Sequence, residues 1–387
     1  MSYLSHYKCV KCNKVHSLID EPLYCEDCGH LLFAEYDLYR ARKEWYQKKF
    51  EDGSSIWKYR ELLPAVPQGK VVSLNEGLTP FLTLQHVSNR LGEQLYVKNE
   101  GVNPSGSVRD REMSVLFTAL GGRLDNGILI NGTPNSAISA AGYAARCGIS
   151  CYALLPNSVP LQFLGELNSY GVKSVLYKSG KYREELEKNI LREKKLIKAD
   201  AVSTPFRIEG AKTILFEIWE FFKGELPDYI YVPLGTGITL VGIWKGLNEL
   251  KQLNWIRPPF PQIIAVQSSK SRPLLKMMDP DHAGNGISED TIAVEMNVEQ
   301  PAEADLIATI IREENWEVHS VDDQNILKTR KQIAEDEGIL LSPECCATIN
   351  AYLSLKNKPT IKSNHRVVFI NPVHGSKYVQ SIGFLGN

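Results

Sequence analysis

From about Gln94 onward, short apolar runs alternate with longer amphipathic stretches. Runs of strand length cover Gln94 to Lys98, Gly127 to Asn131, Ser150 to Leu155, Ser174 to Tyr177, Tyr229 to Val232, Gln262 to Val266 and Arg366 to Ile370. Helical patterns fall between them at Ser136 to Arg146, Leu161 to Tyr170, Tyr182 to Lys195, Gly210 to Phe222 and Leu240 to Leu250. Strands punctuated by helices imply right-handed crossovers and largely parallel sheets. Ahead of this region, Tyr36 to about Lys70 is charged and aromatic, with a helix-like stretch Asp37 to Phe50 followed by Pro64 and Pro67. It reads as a connecting arm. The stretch Tyr182 to Lys195 mixes charges of both signs and reads as a solvated face.

At 387 residues and 43% apolar composition the chain has room for two domains, each with its own core. Lys and Arg number 44 against 45 Asp and Glu, a net charge of -1, so nothing favours nucleic acid or an anionic membrane as partner. A small-molecule ligand is expected instead. Met1 to Lys8 lacks an apolar core of signal-peptide length, and no run approaches the roughly 20 apolar residues of a membrane span. A cytoplasmic protein is expected.

Two C-x-x-C pairs, Cys9 with Cys12 and Cys25 with Cys28, stand near the start, and Gly29 follows the second. Each pair lets two thiolates of one tight knuckle meet one ion, and two knuckles complete a tetrahedral sulfur cage. The spacing predicts a closed structural zinc site that folds a segment too small for a core. Metal-free thiols or a redox pair are the alternatives, the redox pair being disfavoured in a reducing compartment. Cys147, Cys151, Cys345 and Cys346 lie in apolar surroundings and are expected to act as small hydrophobes.

Two further segments suit ligand binding. Asn103 to Arg111 places turn formers ahead of an expected helix start, where unpaired backbone N–H groups favour an anion. Val232 to Thr239 follows a strand and precedes a helix, so Gly235, Thr236, Gly237, Ile238 and Thr239 form a turn that can present backbone donors to a phosphate. A strand-to-helix turn with no ligand would use similar residues.

In this order, the segments resemble threonine synthase and the wider fold-type-II pyridoxal-phosphate (PLP) family, which includes cysteine synthase, cysteate synthase and the tryptophan synthase β chain. The resemblance runs from Cys9 to about Tyr378. It passes through the cysteine pairs, Asn75 to Pro80, Leu95 to Lys98, Asn103 to Arg111, Ser139 to Arg146, Arg207 to Thr213, Gly235 to Thr239, Ile243 to Gly246 and His374 to Lys377. It implies an α/β fold of two parallel-sheet domains with a ligand cleft between them, preceded by a zinc ribbon. The expected divisions are a ribbon at 1–40, an arm at 41–70, a large domain at 71–112 and 201–387, and a small inserted domain at 113–200.

The chain departs from that family at one cofactor's surroundings. Where Arg109 stands, the family carries the lysine that holds PLP as a Schiff base and moves the substrate's α-proton. A guanidinium stays protonated and offers no amine nucleophile. Pro134 replaces a glycine before Asn135, the residue implied to meet the cofactor's phenolic oxygen. Ile238 takes a glycine position in the phosphate turn, and Pro372 takes that of the hydroxyl partner of the ring nitrogen, leaving Asn371 beside it. Glu344, Cys345 and Cys346 replace a small, hydroxyl-rich segment.

These departures predict a threonine-synthase-like protein with a degenerate PLP site. Zinc is expected as a structural metal, and PLP is not expected as an internal aldimine. Arg109, Asn135, Gly235, Thr236, Gly237, Ile238, Thr239 and Asn371 are the expected contacts of an amino-acid-like or phosphorylated ligand. Two other readings stand beside this one. An active PLP enzyme of the lyase class would carry out β- or γ-replacement or elimination, using another amine such as Lys98, Lys212 or Lys377. A non-catalytic module would engage a protein partner through the ribbon and arm. A homodimer is compatible with each. His374 reads as a turn residue at a strand end rather than a general base.

Overall fold

A computed structural model describes residues 2–20, 22–45, 50–64, 71–178, 180–199, 204–279, 291–301, 303–356 and 364–378. Residues 46–49 and 65–70 of the expected arm, Pro67 among them, lie outside the described residues. The chain divides into two compact units, Met1–Leu78 with Arg109–Thr213, and Thr79–Val108 with Ile214–Asn387.

Strands are numbered along the chain. The first unit holds an antiparallel sheet of β1 (Leu4–Cys9), β2 (Val15–His16) and β3 (Leu32–Tyr36), in the order β2-β1-β3. The helix-like stretch after it is shorter than expected. It spans Leu38–Glu44, starting where the Asp37 side chain accepts from the Arg40 N–H and stopping where Trp45 turns extended. The same unit holds a four-stranded parallel sheet of β6 (Ile128–Asn131), β7 (Cys151–Pro156), β8 (Lys173–Tyr177) and β9 (Ile197–Lys198), in the order β8-β7-β6-β9.

The second unit is built on six strands, β4 (Phe81–Thr83), β5 (Gln94–Asn99), β10 (Tyr229–Pro233), β11 (Gln262–Ser268), β12 (Glu317–Val321) and β13 (Arg366–Asn371). Their order is β12-β11-β10-β13-β5-β4, parallel except for β4. Ile230, Val232, Ile263, Val266, Val367 and Phe369 of the central strands are fully buried, as strands covered on both faces must be. Tyr231, Tyr352 and Phe369 meet at ring-centroid distances of 5.4–5.6 Å in the same core. Among the described residues, no helix is long and apolar enough to cross a membrane.

Candidate functional site

The cysteine pairs fold as two copies of one turn. In the first, Cys9 N–H donates to Lys14 O at 2.9 Å and Asn13 N–H returns to Cys9 O at 3.2 Å; in the second, Cys25 N–H donates to His30 O at 2.9 Å and Gly29 N–H to Cys25 O at 2.8 Å. Asn13 and Gly29, each following a C-x-x-C pair, both take left-handed backbone, with φ of 60° and 72°, a conformation that asparagine and glycine tolerate best. The four thiol sulfurs lie within 4.8 Å of one another. The sulfurs of Cys9 and Cys28 are 3.4 Å apart, and those of Cys12 and Cys25 3.6 Å. These spacings are too long for a disulfide and close to the edge of about 3.8 Å that a tetrahedron of roughly 2.3 Å zinc–sulfur bonds would have. Burial pushes the Cys25 thiol up, but the Cys28 N–H and the His16 side chain outweigh it and bring it down to about 6.

Arg109 opens the helix Arg109–Leu120, whose first ten residues are all buried. Charges in such a helix need partners. Arg109 Nη1 donates to Glu112 Oε1 at 2.8 Å, one helical turn along. The other oxygen of Glu112 accepts from Arg207 Nε at 2.8 Å and Nη2 at 2.5 Å. Arg207 also reaches Ser136 Oγ at 3.2 Å and the carbonyl of Ala199 at 3.4 Å. Asp110 accepts from Ser139 Oγ at 2.5 Å, and Arg111 donates to Thr213 Oγ1 at 3.0 Å. Gly210 permits this arrangement, because a Cβ there would stand 2.1 Å from the Arg111 carbonyl oxygen. Glu112 is a site residue that the sequence reading passed over. Its signal is an acid three positions after Arg109, the spacing that faces two side chains on a helix.

The other candidate amines are engaged as well. Lys98, fully buried, donates from Nζ to Glu217 Oε2 and to the Thr79 carbonyl at 2.6 Å each, with Glu100 Oε1 at 3.5 Å. Lys212, also fully buried, donates to Glu209 Oε2 at 2.5 Å and lies 4.0 Å from the centre of the Tyr36 ring. Lys377 is half-buried, its Cε packed against Gly106.

Asn135 is fully buried in the first turn of the helix Pro134–Cys147. Pro134 takes the first helical position behind the Thr133 cap, where a missing N–H costs the helix nothing. The helix Ile238–Gln252 begins differently, with Gly237 in left-handed backbone and no side-chain cap. A Cβ on Gly235 would stand 1.9 Å from the Glu295 carbonyl oxygen, and one on Gly237 would stand 2.2 Å from Ile307 Cδ1. The Glu295 backbone therefore accounts for Gly235, and the left-handed conformation for Gly237. The uncapped first-turn N–H groups remain as the anion-binding feature of the turn. Ile238 and Thr239 are both buried.

At the end of β13, Asn371 Oδ1 accepts from Ser342 N–H at 3.1 Å and its Nδ2 donates to Asn99 Oδ1 at 2.8 Å. The residue thus ties β5 and β13 to the start of the helix Pro343–Leu355. The Pro372 carbonyl accepts from Val108 N–H at 2.8 Å. His374 is exposed, and its Nδ1 lies 2.7 Å from Ser376 Oγ. Glu344, in the first turn of that last helix, is fully buried. Burial, reinforced by the charge of Glu295, raises its carboxyl from the ordinary 4.5 to about 7. Between these values the unfolded chain binds fewer protons than the folded one, so stability falls as pH rises through the window, by about 3 kcal/mol. Chemical denaturation at pH 4.5 and pH 7.5 should show that loss in the parent and a flatter profile in Glu344→Gln.

With the fold and these clusters described, the class of protein follows. Residues 72–373 match the pyridoxal-phosphate dependent enzyme family, and the chain belongs to it. Among curated proteins it is 32% identical to the threonine synthase of Methanocaldococcus jannaschii, covering 96% of this chain and 92% of that protein. It is 31% identical to the threonine synthase of Methanosarcina acetivorans over 97% and 93%. Among solved structures, maize serine racemase superposes with a TM-score of 0.67 at 20% identity, covering 79% of this chain and 91% of that one. Threonine deaminase isoform 2 of Solanum lycopersicum gives 0.66 at 20% identity, over 84% and 86%. The architecture is the α/β fold of fold-type-II PLP enzymes.

Proposed function

We propose that this chain is a threonine-synthase-like protein that binds an amino-acid-like or phosphorylated small molecule without forming an internal aldimine with PLP. The observation that carries this reading is the state of Arg109: buried, bonded to Glu112, and sharing that carboxylate with Arg207. Bound PLP supplies an electron sink for reactions at an amino acid's α-carbon. The residues fit its phosphate better than its attachment. The uncapped start of the helix Ile238–Gln252 suits an anion, whereas a guanidinium cannot condense with an aldehyde. Gly235 to Thr239 are the groups we assign to binding an anion, and we read Arg109 and Asn135 as separate ligand-contact candidates of the first unit.

The test is intact-mass analysis after incubation with PLP and borohydride. The mass is expected to stay unchanged, and a gain of one phosphopyridoxyl group per chain would overturn the reading. The same experiment bears on the second reading, an active PLP-dependent lyase, which the near-full-length likeness to threonine synthases favours. Peptide mapping of any adduct would name the amine that serves it.

We also read the four-cysteine cluster as a closed zinc site that folds the ribbon. Elemental analysis is expected to find about one zinc per chain in the parent, a tetrahedral four-thiolate site, and little in Cys9→Ser/Cys25→Ser. A metal-free parent would sink that assignment.

A further inference from the structure

The cysteine ribbon and the Arg109 cluster belong to the same unit and meet on one helix. On β3, Leu32, Ala34 and Tyr36 are buried, as are Tyr7 and Cys9 on β1. Pairing sets Cys9 opposite Leu32, Tyr7 opposite Ala34 and Leu4 opposite Tyr36. One end of this buried face therefore carries a cysteine of the cluster, and the other carries two aromatic rings. Both rings reach the first two turns of the helix Phe206–Phe221. Tyr7 meets Phe206 edge to face, with ring centroids 6.3 Å apart. The Tyr36 hydroxyl donates to Glu209 Oε2 at 2.7 Å, the oxygen that also takes Lys212 Nζ, and that Nζ lies over the Tyr36 ring. All five side chains are buried. Between Phe206 and Glu209 stands Arg207, which binds Glu112 Oε2 and Ser136 Oγ. Glu112 holds Arg109, and Ser136 follows Asn135.

We propose that Tyr36 is a positioning residue for the ligand contacts of the first unit: the ribbon fixes the turn that carries Arg207, and Arg207 sets Glu112 and, through it, Arg109. This rests on the reading of Arg109 and Asn135 as ligand contacts. The first turn of a helix lacks intrahelical partners for its N–H groups and frays unless tied down. Two of its ties here, on either side of Arg207, come from the ribbon. The requirement is strict, because Arg207 gives both Nε and Nη2 to one oxygen of Glu112. A backbone shift of about 1 Å takes such bonds out of range. A segment as small as the ribbon owes its fold to its metal. With zinc in the cysteine cluster, the metal state of the ribbon is therefore felt at Arg109.

The test is amide hydrogen exchange on the full chain, read at residues 210–213 and 113–116, whose helical acceptors are the first-turn carbonyls of residues 206–209 and 109–112. Tyr36→Phe keeps the ring and removes one hydroxyl. It should lower protection at both sets at least about tenfold, the scale of a hydrogen bond to a charged acceptor. Zinc content and the protection of β1 should match the parent. Removing zinc from the parent with EDTA should expose the ribbon and the same two sets while β6 and β7 stay protected. Parent-like protection at residues 210–213 and 113–116 in Tyr36→Phe overturns the proposal. So does a Tyr36→Phe protein that loses zinc or β1 protection in step, since Tyr36 would then serve only the ribbon's own packing. If Tyr36→Phe fails to fold, the EDTA arm decides: exposure confined to the ribbon, or spreading through β6 and β7, overturns the proposal. A parent without zinc sinks the zinc reading alone and leaves Tyr36→Phe as the test of positioning. Failure of Arg109 or Asn135 to contact a ligand would show in binding measurements and not in these exchange rates.

Discussion

Arg109→Lys alone is expected to yield almost no borohydride-trapped PLP, whereas Arg109→Lys with Glu112→Gln gains at least about tenfold more. Glu112 Oε1 lies 2.8 Å from the position-109 cation in a fully buried setting. A carboxylate that close favours the ammonium form of a lysine by about one to three pKa units, cutting the free amine about ten- to a thousandfold. Removing the carboxylate's charge reverses the effect. The neighbouring Arg207, 2.5 Å from Glu112 Oε2 in the parent, then acts as a like charge that favours the neutral amine. Intact-mass spectrometry after reduction reads both variants directly. Stoichiometric adduct in the single substitution would mean that Glu112 exerts no such control.

The second large effect concerns Lys98. Its Nζ is bonded to Glu217 and stands near Glu100, all three buried. Lys98→Met strands carboxylates away from water, and breaking a buried pair from one side typically costs about 3–5 kcal/mol. Denaturant titration should show that loss. A loss below about 1 kcal/mol, the range of exposed pairs, would mean that the interior there is wetter than its burial implies.

Much of the fold was legible because buried parallel strands are written as unbroken apolar runs. Tyr229 to Val232, Gln262 to Val266 and Arg366 to Ile370 fall within β10, β11 and β13. Strand β12 escaped notice because Glu-Val-His-Ser-Val is half polar, as suits an edge strand. The start of the helix Pro134–Cys147 was read late, since Thr-Pro-Asn looks like a turn until Thr133 is seen capping Ser136. At the site, Arg109 stood out because the resembled family carries a lysine at that position. Glu112 did not, because its role depends on Arg207, 95 residues away in sequence. The raised carboxyl of Glu344 was equally hidden, since it depends on burial and on how the Glu295 segment packs.

Among the described residues the last strand, β13, lies between β10 and β5 in the middle of its sheet. During synthesis the ribosome must therefore deliver Asn371 before β5 has its parallel neighbour, leaving the row of backbone donors and acceptors along Gln94–Asn99 unmatched while more than 250 later residues emerge. Nascent chains of this protein are expected to depend on holding factors until β13 has emerged, and a truncation that removes β13 to disrupt the whole second unit rather than trim it.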